Sequence, residues 1–323
     1  MSFPLKRVAA AMLAALTIAG PAQAQESKPL RLLLPYVQGN GLDVISRQVA
    51  EQMSPLLKQP VVVLNVPGGN GVSAVLDLMN QPADGSTILG IDAGQWAIAP
   101  ALKPDLPYVV QRDFAPLGII FTNPLFLSVP STIPAANLQE FLSYARARPG
   151  QLNYGSVGVG SLFHLVTASL AANAKLNMNH IPYKGGTEAM LALARGDLSL
   201  LVTSLAVARP HLQTGKVKLL AVTTKTRSKQ LPEMPTVTEL TGFADFDFAG
   251  ILGFVARSGT TKATIDRLSQ AIMKGASNPD IAARAAQGGF EMTPGTPEQM
   301  ADMIRGDTRR YTEVVKLSGA AAN

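Results

Sequence analysis

The chain contains no cysteine in 323 residues. That absence excludes disulfides, thiolate zinc sites, iron–sulfur clusters and a cysteine nucleophile together. Histidine is nearly as scarce. His164, His180 and His211 lack the close spacing that would set two imidazoles on one metal. Charged residues are only 15% of the sequence, with a net charge of +6. They are scattered, apart from a short group at residues 225–229, so the clustered lysine and arginine of a nucleic-acid surface is missing. A long apolar run is missing too. The one at residues 8–20 is too short to cross a hydrocarbon core of about 30 Å.

That run follows Lys6 and Arg7 and stops at Pro21, just before Ala22-Gln23-Ala24, a small-x-small cleavage pattern. It reads as a secretory leader with the mature chain starting at Gln25, which implies a periplasmic protein. Lys6 and Arg7 are the only charges in residues 1–24, so the mature formal charge falls to +4. A mildly positive field favours an anionic ligand. The remaining length exceeds that of a usual single domain, and two lobes are expected.

After the leader, strand and helix patterns alternate. Residues 30–34 form a short apolar run ended by Pro35, and residues 43–57 repeat apolar positions at helical spacing. Residues 60–64 and 87–91 read as strands, residues 72–79 as a helix, and residues 67–71 as a glycine loop. Two strand-like runs flank Thr122-Asn123-Pro124. Helices follow at 138–147, 161–174 and 187–195, with strands at 151–156, 198–202, 217–223 and 251–255. Two helices, at 262–277 and 297–317, complete the chain. Alternation of this kind predicts an α/β fold with mainly parallel sheets flanked by helices.

The recurring motif is a strand, a glycine-containing loop and a helix N-terminus. It occurs at residues 36–43 and again at residues 154–161. Helix N-termini leave backbone N–H groups without internal partners and carry about half a positive charge. Two such ends facing each other would trap a carboxylate. Ser161 is suited to cap the second helix, and Asp43 sits in the first turn of the other. Asp43 is equally well read as a cap, and the glycines as simple turns. Two rival readings compete. Gly69-Asn70-Gly71-Val72-Ser73-Ala74, with Asp92 about 20 residues on, fits a dinucleotide fingerprint. Ser156 or Ser161 with His164 could make an exported serine hydrolase, although no nucleophile elbow surrounds either serine.

Taken in order, the loops resemble the substrate-binding proteins of tripartite tricarboxylate transporters, also known as Bug-type receptors. The similarity is carried by Leu34-Pro35-Tyr36 with Gly39 and Asp43, by residues 59–71, and by Asp84-Gly85-Ser86-Thr87. Further pieces are Asp113-Phe114-Ala115-Pro116, the run from Tyr154 to His164, and Pro182-Tyr183-Lys184-Gly185-Gly186. Leu220-Ala221-Val222-Thr223 and Met234-Pro235-Thr236-Val237 close the series. The resemblance implies a two-lobe type II periplasmic-binding fold, with residues 25–122 plus 249–323 in one lobe and 123–248 in the other. It implies a receptor without catalytic activity or cofactor, a monomer that delivers an organic carboxylate to a membrane permease. Backbone amides around Ser156, Val157, Gly158 and Gly160 would hold the proximal carboxylate, beside Ser161 and His164. The loop from Tyr36 to Asp43 would hold bridging waters. Gln38 and Asn40, which depart from the family's usual residues, would contact the ligand, next to Gly39. Trp96, Phe163, Thr203 and Ser204 are candidate pocket residues that suit a dicarboxylate, an aromatic acid or an amino acid. N-terminal sequencing of the exported form should return Gln25; a product that keeps residues 1–24 would remove the leader assignment.

Overall fold

The computed structural model describes residues 28–320, and the leader with its cleavage site lies outside them. The first half is a wound α/β unit. Strand β1 (Leu30–Leu34) leads to helix α1 (Gly41–Leu57), strand β2 (Val61–Asn65), helix α2 (Val72–Met79) and strand β3 (Thr87–Asp92). β1 lies between β2 and β3, parallel to both, and four of its five residues are buried. A strand covered on both faces has to be apolar throughout, which is why it reads as an unbroken run. α1 buries Ile45, Val49, Met53 and Leu57 at four-residue intervals, laying one stripe on the sheet.

A π-helical turn (Gly94–Ile98) and the short helices α3 (Ala99–Leu102) and α4 (Val110–Asp113) lead into β4 (Phe114–Pro130). The sequence predicts two runs here, broken at Pro124. The structure has one strand of 17 residues. Its first part pairs antiparallel with β9 (Ala249–Arg257) as far as Pro124, and from Leu125 it pairs with β7 (Leu200–Ser204). Pro124 therefore falls where the ladder changes partners, a place that tolerates a missing N–H.

The second half repeats the plan. Helix α5 (Leu138–Arg146), β5 (Asn153–Ser156), α6 (Leu162–Ala174), β6 (Asn179–Pro182) and α7 (Gly186–Arg195) precede β7. β5 lies between β6 and β7, parallel to both. Helix α8 (Leu205–Gln213), β8 (Val217–Val222) and α9 (Val237–Thr241) then return the chain to β9. Helices α10 (Lys262–Ala276) and α11 (Pro279–Gln287), strand β10 (Glu291–Gly295) and helix α12 (Pro297–Ser318) finish it. The strands form one curled sheet in the order β2-β1-β3-β9-β4-β7-β5-β6, with β8 and β10 against β4. It is mixed: parallel in the two outer trios, antiparallel wherever β4 and β9 take part. Several elements escape the sequence pattern, among them α3, α4 and α9, helices of only four or five residues. β6 and β10 are short and mostly unburied, β10 and α8 contain proline, and α11 is an alanine-rich helix of nine residues.

α12 ties the halves together, packing on β4, on α6 and on the π-helical turn. Trp96, in that turn, is buried and donates from Nε1 to Asp307 Oδ2 at 2.9 Å. Arg310 Nη1 donates to Asp307 Oδ1 at 2.7 Å, and its guanidinium lies 5.6 Å from the Phe248 ring. Trp96 is thus a core residue whose N–H serves α12. Trp96→Phe should destabilise the protein by about 1–3 kcal/mol in urea unfolding, because buried Asp307 loses a donor. Ligand affinity should stay unchanged, which titration of the variant checks.

Candidate functional site

The cavity sits where β4 crosses between the two halves and measures about 420 Å³. Residues Phe121, Asn123 and Leu125, alternate positions along β4, line it, joined by Gly250 and Ile251 of β9. Period-2 alternation sends successive side chains to opposite faces, so one continuous strand supplies three wall residues. Leu42, Ile98, Ala99, Leu102, Phe163 and Phe290 make most of the remaining wall apolar.

The second glycine loop forms one end of the cavity. Val157, Gly158, Val159, Gly160, Ser161 and Leu162 all line it. Gly158 and Gly160 have φ of +129° and +75°, which turn the backbone of this loop toward the opening. Ser161 caps α6, accepting at Oγ from the His164 N–H at 3.3 Å. The Gly160 N–H donates to His164 Nδ1 at 3.1 Å, and the Gly158 N–H to Ser156 Oγ at 3.0 Å. The N–H groups of Val157, Val159, Leu162 and Phe163 donate to no acceptor among the described residues. These are the unpaired donors that a loop and a helix start leave available.

Ser156 and His164 stand behind this loop, outside the lining. Ser156 is fully buried; its Oγ lies 2.6 Å from His180 Nε2 and 3.0 Å from the Gly158 carbonyl. With its proton on that carbonyl, the serine accepts from His180 Nε2–H, the reverse of activation by a base. His164 stacks on His180 with ring centroids 3.9 Å apart, and Tyr154 stacks on His180 at 5.0 Å. Burial, then the neighbouring His180, pushes the His164 imidazole down to about 4. The neutral ring can then accept from Gly160 through Nδ1.

The first loop behaves differently. Tyr36 lines the cavity, whereas Gln38, Gly39 and Asn40 are exposed and lie outside the lining. Asn40 is spent as the cap of α1, accepting at Oδ1 from the Leu42 N–H at 2.8 Å. Asp43 is buried and holds the loop together. It accepts from the Gly39 N–H at 2.9 Å, Asn65 Nδ2 at 2.8 Å and Arg47 Nε at 3.0 Å. Burial by itself would raise its carboxyl; those bonds outweigh it and hold the group below the ordinary value. Thr203 and Ser204 end β7 away from the lining, and Ser204 is the N-cap residue of α8.

Sequence reasoning missed a third group. Asp92 and Gln95 line the cavity beside Tyr36. Tyr36 Oη donates to Asp92 Oδ2 at 2.6 Å, and the Gly94 N–H donates to Asp92 Oδ1 at 2.6 Å. Gln95 braces the corner: its Oε1 accepts from the Asp92 N–H and its Nε2 donates to the Asn70 carbonyl. Gly71 has φ of +89°, and a Cβ there would lie 2.5 Å from Gln95 Nε2. Gly71 of the dinucleotide-like motif therefore has a packing role, and the acid paired with it in that reading is bonded to Tyr36.

The same residues place the chain among known proteins. The model of the tripartite tricarboxylate transporter family receptor matches residues 45–319, and the chain belongs to that family. A Pseudomonas sp. (strain P51) protein from the tcbD-tcbE intergenic region is 32% identical over 311 residues, 96% of this chain and 92% of that one. A TctC solute binding protein from Polaromonas superposes with a TM-score of 0.80 at 25% identity, covering 90% of this chain and 99% of that one. R. palustris Rpa4515 with adipate superposes at 0.74 with 27% identity, covering 91% and 98%. The fold is accordingly the two-lobe periplasmic-binding type, and its family is one of receptors, not of enzymes. Among the described residues no helix is long and apolar enough to cross a membrane.

His164 supplies a pH test. Its ordinary value of 6.5 applies to the unfolded chain, against about 4 in the fold. Between these values the unfolded state binds more protons, so stability falls as pH drops from about 6.5 toward 4. Urea midpoints should decline from pH 7 to pH 5. His164→Asn, which keeps an acceptor for the Gly160 N–H, should flatten that decline.

Proposed function

We propose that this chain is a periplasmic receptor that captures a small organic carboxylate in the cavity on β4 and delivers it to a membrane permease of the tripartite tricarboxylate type. One observation carries the reading. The unpaired N–H groups of Val157, Val159, Leu162 and Phe163 belong to the loop and helix start at one end of an apolar cavity whose lining includes no Lys, Arg or His. Backbone donors and a helix dipole stabilise an anion without a counter-charge. The proximal carboxylate sits on these donors, and Ser156 and His164 hold the loop in shape from behind. Phe163 and the β4 residues enclose the rest of the solute. The adipate held by Rpa4515, a relative of the same fold, supports an organic acid of this size.

Residues 25–122 with 249–323 form one lobe in this reading, and residues 123–248 the other. The lobes close on the ligand, since the closed state adds contacts that the open state lacks. Val37 and Val159, at the tips of the two glycine loops, are 61% and 66% exposed, large apolar side chains that closure would shelter. The receptor acts as a monomer, and the mature form starts at Gln25.

Leu162 offers a selective test. It is the first residue of α6, where proline is tolerated, and Ser161 before it is already extended at ψ 156°. Leu162→Pro removes one N–H from the proposed carboxylate site. Hydrogen bonds to charged groups are worth about 1.5–3 kcal/mol. Affinity for a carboxylate found by thermal-shift screening should drop about 10- to 100-fold by calorimetry, with Leu162→Ala near wild type. Equal affinity in the proline variant would remove the α6 start from the site.

A further inference from the structure

The part of the lining that β3 supplies, from the first half of the chain, has the opposite character to the part that the α6 start supplies, from the second half. Among the described residues, Asp92 is the sole charged residue lining the cavity, and it is half-buried. Each of its oxygens accepts one bond from the protein, Oδ1 from the Gly94 N–H and Oδ2 from Tyr36 Oη. A carboxylate has about four lone-pair sites, so acceptor capacity remains on both oxygens. Asn123, on the same cavity wall, has a buried Oδ1 that accepts no bond among the described residues. Its amide is not anchored on that side and can turn to meet a ligand.

A cap or brace role explains part of this corner. It does not explain why a carboxylate faces a cavity built to receive another carboxylate. A dicarboxylate whose second charge reached Asp92 would meet a like charge with no cation in the lining to offset it. Like charges brought together in a partly dry site repel strongly, and opposite charges attract equally strongly. Much of the remaining lining is apolar and aromatic, with Leu102, Phe121 and Phe163, and suits a hydrocarbon spacer. The geometry points to a solute with a carboxylate at one end and an ammonium or similar cationic donor at the other, the carboxylate on the α6 donors and the cation on Asp92. This deepens the receptor reading and rests on it.

Two matched probe series test the inference by calorimetry on the purified protein at pH 7.5. One contains terminal amino acids from 4-aminobutanoate to 6-aminohexanoate with 4-(aminomethyl)benzoate. The other contains the corresponding diacids from succinate to adipate with terephthalate. The expected result is at least one amine-bearing probe binding tenfold or more tightly than its diacid partner. Asp92→Asn, which keeps an acceptor for the Gly94 N–H, should cut that affinity at least tenfold and improve the diacid. Circular dichroism and melting verify that the variant is folded, and the wild-type ranking stands as a test without it. Diacids binding as tightly as or more tightly than their amine partners would overturn the inference and leave the carboxylate receptor intact. A correct ranking unmoved by Asp92→Asn in a folded variant would overturn the role of Asp92. Failure of both series and of the simple monocarboxylates butanoate and benzoate would overturn the carboxylate reading itself, and this inference with it.

Discussion

One strand has to serve both halves of the sheet. β4 pairs with β9 and β10 through its first part and with β7 and β8 through its second, so its backbone bonding passes from one lobe to the other without a break. Buried backbone groups must be paired, and a loop at this point would leave several without partners. Because the strand is continuous, its side chains alternate across the crossing, and Phe121, Asn123 and Leu125 form one wall of the cavity. The cavity therefore lies at the stretch of β4 where the ladder changes partners.

What surrounds that space is chemically economical. At one end, the anion affinity we propose would come from backbone geometry, with Gly158 and Gly160 turning the loop and Ser161 ending it in a helix start. The side chains that matter most there never face the cavity. Ser156 and His164 each take an N–H of the loop, and His180 supports both by a hydrogen bond to the serine and a stack on the other imidazole. Asp43 does the same for the first loop, tying Gly39, Arg47 and Asn65 to one buried carboxylate. A site shaped by bonds behind it keeps its form without a cation in its wall. That leaves Asp92 to set the electrostatic character of the other end.

Much of this was legible along the chain. Short apolar runs gave β1, β3 and β7, because burial on both faces demands unbroken hydrophobicity. Helical spacing gave α1, α2, α5, α6, α7, α10 and α12 to within a few residues. The glycine loop at residues 157–161 was readable as a turn into a helix because Gly158 and Gly160, free to take positive φ, precede the cap Ser161. The misses have physical causes as well. Pro124 looked like a break since local rules cannot know that a ladder changes partners there. Trp96 looked like a pocket residue since aromatic character is the same in a wall and in a core. Asp92 looked like part of a nucleotide motif, although its partner, Tyr36, lies 56 positions away.

The sequence by itself determined the class: alternating elements, two glycine loops each opening a helix, and a run of short motifs in family order. Those are local properties, written in periodicity and in residues whose backbone freedom is unusual. Only the tertiary structure decided which side chains line the cavity. It moved Gln38, Asn40, Thr203 and Ser204 out of the wall and brought Asp92, Gln95 and Asn123 into it. The reason is distance along the chain. A cavity between lobes is assembled from segments up to 255 positions apart, from Pro35 to Phe290, and no local pattern records which of their faces will meet.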